Sequence, residues 1–192
     1  MKPLAKWFGI YAAKLVAIYT LLYFVYILIG SFNGFYLIEV FEATLVYLVV
    51  SVFYPGMAVS GNVLYNLFVA GNYSAFSIII DDICVGWFPI AGFVSIILAI
   101  PYIPKEKVMK SLAFGVSVIF AANILRLIVI LFVAALYGMD GFNYFHLFVV
   151  KFDLMLVMFL AFLVSVKFII GRKTMFESVK SFCIKNSRVS RM

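Results

Sequence analysis

The stretch "SLAFGVSVIFAANILRLIVILFVAALY", residues 111–137, holds one charged side chain, Arg126, in an otherwise apolar run. A water-soluble helix of this length needs a polar face, and none can be drawn here. A run of about 20 apolar residues instead matches a hydrocarbon core of about 30 Å. Comparable runs recur at about 8–29, 37–57, 84–103 and 147–170, in a chain that is 67% hydrophobic and 12% charged. The expected fold is an all-α integral membrane protein, a bundle of five transmembrane helices. A transmembrane β-barrel would show short alternating strands with polar lumen residues. The first run is followed by "IGSFNGFY", without a small-x-small cleavage site, and reads as an uncleaved span.

Between the second and third runs lies "GNVLYNLFVAGNYSAFSIIIDD". Its Gly-Asn pairs at 61–62 and 71–72 are turn formers, and "VLYNLFV" and "YSAFSIII" are rich in β-formers. A short hairpin on the outer face is expected before the third span, with a sixth span as the rival reading. The expected organisation is a single transmembrane domain, 1–170, and a basic cytoplasmic tail, 171–192.

Net charge is +7. The basic residues lie in the expected loop "PYIPKEKVMK", with Lys105, Lys107 and Lys110, and in the tail after Gly171, as the positive-inside bias requires, rather than along one face suited to nucleic acid. Both segments are therefore expected in the cytoplasm, with Cys84 and the loop "GMDGFNYFH" outside. Five spans then leave Lys2 and Lys6 outside, against the same bias; six would restore the parity by sending asparagine- and serine-bearing chain through lipid. The two cysteines, Cys84 and Cys183, form no metal-ligand spacing or disulfide framework, and no cofactor or metal is expected.

A charge inside a span costs about 2.5–3.5 kcal/mol on insertion scales, so each one needs a partner or a purpose. Arg126 has Asn123 three residues earlier on the same helical face. It can pair with Asp153 on the last span, or it can hold a developing negative charge. His146, the one histidine, sits at the mouth of the last span and suits proton transfer near neutrality. Cys84 reads either as a small buried hydrophobe or as a thiol activated at a helix start, with Asp81 and Asp82 opposing ionisation. A thiol, a cation and a base on three consecutive spans are the parts of a cysteine acyl transferase or protease.

Cys84 followed by Gly86, then Asn123 and Arg126 as N-x-x-R, then His146, resembles the exosortase/archaeosortase family of membrane transpeptidases over roughly residues 50–165. Val85 stands where the commonest exosortase pattern has serine, which favours the archaeosortase-like branch. Some archaeosortases have a second arginine at the place of His146. The resemblance implies Cys84 as nucleophile, Arg126 as oxyanion stabiliser or positioning group and His146 as general acid/base, with Asn123, Gly86, Asp82 and Asp153 in support. It also implies partners: membrane-anchored substrate proteins with a C-terminal motif, helix and basic end, and a membrane lipid as acyl acceptor. The alternatives are a small substrate-binding membrane subunit of a transporter, which gives Cys84 no task, and a structural subunit, which leaves Arg126 only its pairing.

Overall fold

The computed structural model describes residues 2–66, 76–100 and 104–166, with the side chains of 2–7 and 147–154 outside the description. In chain order it contains α1 (Lys2–Ser31), α2 (Tyr36–Val50), β1 (Met57–Ser60), β2 (Val63–Asn66), β3 (Phe76–Ile79), α3 (Trp87–Ala99) and α4 (Lys105–Val164). The chain is mostly helical, and two stretches, Phe8–Ser31 and Lys105–His146, are long and apolar enough to cross a membrane. Phe8, Leu21 and Phe24 of α1 are each more than 60% exposed, which is unfavourable in water and natural against lipid.

Two of the expected spans are shorter than the sequence suggests. The run at 37–57 is helical only to Val50; the chain then turns through Pro55 and Gly56 and enters β1 at Met57. Hydropathy cannot separate a buried helix from an apolar strand, so the run reads as continuous although the backbone changes. The third run, expected over 84–103, forms α3 over Trp87–Ala99. Its start is set by Gly86, which holds φ 72°, and Pro89 falls in the first turn, where its missing N–H is harmless. Lys105, Lys107 and Lys110 are not in a loop but in the opening turns of α4, where Lys110 pairs with Glu106 at 2.6 Å.

The expected hairpin is present and gains a strand. β1, β2 and β3 form an antiparallel sheet in that order, with Ser60 opposite Val63 and Val63 opposite Ile79. Gly61 at φ 60° and Asn62 make the two-residue turn between β1 and β2. Residues 63–66 and 76–79 are strands, which removes the helical crossing of the six-span reading at those positions. The second Gly-Asn pair, 71–72, lies outside the described residues.

The expected loop 138–146 is helical except at Gly138, whose φ 70° and ψ −168° break α4 into two arms. The arms fold against each other. Ile119 of the first packs with Ala161 of the second and with Phe93 and Ile97 of α3, while Phe142 joins Leu127 and Leu131 near the break. A continuous helix would carry His146 about 30 Å beyond Arg126; the break returns it. The first cluster joins α2, the sheet and the upper part of the first arm through Val46, Val50, Leu64, Ile80 and Leu131.

Candidate active site

Residues 81–86 run from the end of β3 into α3 as a turn held from three sides. The amide of Asn62 donates to the Ile80 carbonyl at 2.9 Å and to Glu39 Oε2 at 2.9 Å, which ties the strand end to α2. Within the turn, the Cys84 N–H meets the Asp81 carbonyl at 2.9 Å and Asp81 Oδ1 at 3.1 Å, the closure that aspartate favours in tight turns. Tyr26 of α1 donates its hydroxyl to Asp82 Oδ2 at 2.6 Å, which turns that carboxylate toward α1 and leaves Asp81 as the acid bonded to Cys84.

The third hold comes from α4. Asn123 and Arg126 both donate to the carbonyl oxygen of Cys84, Nδ2 at 2.8 Å and NH2 at 3.0 Å. Their spacing of three residues puts both on one face of the first arm. Asn123 is fully buried and Arg126 is 4% exposed. The second Nδ2 hydrogen of Asn123 goes to Glu42 Oε1 on α2 at 3.1 Å. Gly86 belongs to the same arrangement, since a Cβ there would stand 3.2 Å from Asn123 Cγ, too close for comfort at a positive φ.

Cys84, Arg126 and His146 line one cavity of about 200 Å³, together with Asp81, Leu127, Phe142 and the isoleucines of β3 and the turn. His146 stacks on Phe142, one turn earlier on the second arm, with ring centroids 5.1 Å apart and planes within 10°. The wall is largely apolar, with the thiol, the guanidinium and the imidazole as its polar features beside Asp81. On the far side of the turn a second cavity, of about 320 Å³, is lined by Glu39, Asn62, Asp81, Asp82 and Tyr36.

Cys84 lies in the turn two residues before the Gly86 cap, and its thiol is half-buried. Burial pushes the thiol up to about 12, with Asp81 adding to the rise and its backbone hydrogen bond and the Arg126 charge opposing it. The resting group is a neutral thiol, so reaction requires a base within reach as well as the cation.

The structure thus brings Cys84, Arg126, Asn123, Gly86 and His146 together. Asp82 adjoins the site but bonds to Tyr26. The expected Arg126–Asp153 pairing falls on a side chain outside the described residues. Sequence reasoning missed Glu42, a carboxylate with no exposure in the middle of "YLIEVFEATLVYLVV". The penalty argument that singled out Arg126 applies equally to it. Among the described residues no group of three or more metal-ligating side chains occurs.

No family model, curated protein or solved structure matches the chain.

Proposed function

We propose that this protein is a membrane-embedded cysteine transpeptidase of the exosortase/archaeosortase kind. On this reading α1, α2, α3 and the two arms of α4 lie in the cell membrane as five spans. The sheet and the Cys84 turn face outside, and the basic tail faces the cytoplasm. The observation that carries the proposal is the convergence of Cys84, Arg126 and His146, far apart in sequence, on one cavity.

The reaction follows from the groups. A substrate with a short recognition motif, a transmembrane helix and a basic end docks along the apolar wall, its scissile bond at the cavity. His146 takes the thiol proton as Cys84 Sγ attacks the peptide carbonyl carbon, and the C=O pair moves onto oxygen. Collapse of that tetrahedral species breaks the C–N bond. The proton on His146 passes to the departing amine, and a thioester remains on Cys84. A lipid headgroup amine then attacks the thioester carbonyl carbon and gives a proton to His146; the C–S bond breaks, and His146 returns that proton to Cys84 Sγ, leaving the thiol restored and the exported protein joined to lipid through an amide. Arg126, bonded to the Cys84 carbonyl, positions the nucleophile's backbone and lays a positive charge beside the site where the oxyanion develops.

The test is co-expression with a protein bearing such a C-terminal signal. Wild type is expected to release the C-terminal helix, and Cys84→Ala to leave the substrate whole. Equal processing by the two would remove the thiol from the reaction.

A further inference from the structure

Glu42 has no solvent exposure, and its Oε2 has no hydrogen-bond partner among the described residues. A carboxyl so placed is destabilising by itself, because burial removes its hydration and half of its acceptor capacity goes unused. Its one bond is to Asn123, whose other amide hydrogen is on the carbonyl of Cys84. Asn123 therefore has two acceptors on its nitrogen, while its Oδ1 is buried with no hydrogen-bond partner among the described residues. No described group holds the amide from the oxygen side; Glu42 does so from the nitrogen side. Flipping the amide would face Oδ1 toward both the Glu42 carboxylate and the Cys84 carbonyl, which are repulsive contacts.

We propose that Glu42 is a positioning residue of the Cys84 site: it fixes the Asn123 amide so that the turn carrying Cys84 is held closed with its thiol in the cavity. The chain of contacts runs from α2 through the first arm of α4 to the nucleophile's own carbonyl, and involves no atom of the substrate. Its importance rests on reading Cys84 as the working thiol. The readout below is modification of that thiol alone, so a failed transpeptidation assay leaves this inference standing or falling separately.

The experiment is the rate of Cys84 alkylation by iodoacetamide at pH 8 in the full chain in detergent, with Cys183→Ser leaving one thiol. Glu42→Gln keeps an oxygen at the same reach and is expected to react within about twofold of the parent. Glu42→Asp keeps the charge but falls a methylene short of Asn123; Glu42→Met keeps the length without an acceptor. Both are expected to open the turn, hydrate the thiol and react about tenfold faster, the gain expected if a tenfold larger share of the thiol ionises. Asn123→Met is expected to match them, and the Glu42→Met/Asn123→Met double variant to add nothing, since both act through one contact. The rate in denaturant marks unfolding; if Glu42→Met reaches it, Glu42→Asp carries the test. Parent-like rates in both Asp and Met variants, a Gln variant as fast as Met, or additive effects with Asn123 would overturn the proposal.

Discussion

The Arg126 guanidinium donates to the backbone carbonyl of Cys84 at 3.0 Å, so a buried cation of α4 grips the main chain of the candidate nucleophile. Arginine suits the task because its donors form a rigid planar fork, and Asn123 bonds the same oxygen from one turn earlier. Lysine would keep the charge and lose that geometry. A hydrogen bond to a charged donor is worth about 1.5–3 kcal/mol. Arg126→Lys is therefore expected to lower the rate of substrate cleavage by about 10- to 100-fold, with Arg126→Gln lower still; cleavage of a co-expressed substrate in isolated membranes measures both.

The burial of the Cys84 thiol makes a prediction that needs no substrate. An ordinary thiol, with its value about 8.5, is almost fully ionised by about pH 10, so its alkylation rate levels off there. With the group pushed up to about 12, the rate at Cys84 should be low near neutrality and still climbing steeply above pH 10. The sign follows from the shift: a raised value means less thiolate at every pH below it. A rate profile from pH 7 to 11 in the Cys183→Ser chain reads this directly, and a plateau by about pH 10 would show the thiol to be unshifted.

Gly86 combines φ 72° with a Cβ position 3.2 Å from Asn123 Cγ. Alanine there meets the left-handed penalty of roughly 1–2 kcal/mol and pushes on the amide that holds Cys84. Gly86→Ala is expected to lower the melting temperature in detergent and to speed Cys84 alkylation together, because one displacement produces both.

Gly138 carries the break that returns His146 to the Cys84 cavity. Its φ 70° and ψ −168° lie in a region closed to side chains, at a cost of order 1–3 kcal/mol for any other residue. Gly138→Ala is expected to straighten or strain the α4 break and to reduce cleavage to the level of His146→Ala. Loss of general acid/base catalysis puts that level about 100-fold or more below wild type. Combining the two substitutions should add little, since each removes the same imidazole from the same cavity.

Charge inside apolar runs made the site legible: Arg126 and Asn123 stand out because lipid tolerates neither without a partner, and Cys84 and His146 because each is the lone residue of its chemistry near a span mouth. The β-forming pieces around Gly61–Asn62 were legible too, through turn chemistry. The early end of α2 was not, since 37–57 is apolar whether it coils or extends. The helical state of 139–146 was obscured by Asp140 and Gly141, which read as loop formers. Phe142 and His146, four residues apart, stack when the segment coils, and that contact comes from packing rather than propensity. Glu42 was legible by the Arg126 argument, and its partner on α4 becomes visible only once α2 and α4 are packed together.

The central claim is a covalent acyl intermediate on Cys84, and the most direct measurement is the mass of the Cys84 peptide after co-expression with a signal-bearing substrate. Added mass equal to the substrate's acyl fragment, lost on hydroxylamine treatment and absent from Cys84→Ala, is the predicted result. Substrate cleavage with Cys84 unmodified in every trapped sample, or cleavage that persists in Cys84→Ala, would contradict it.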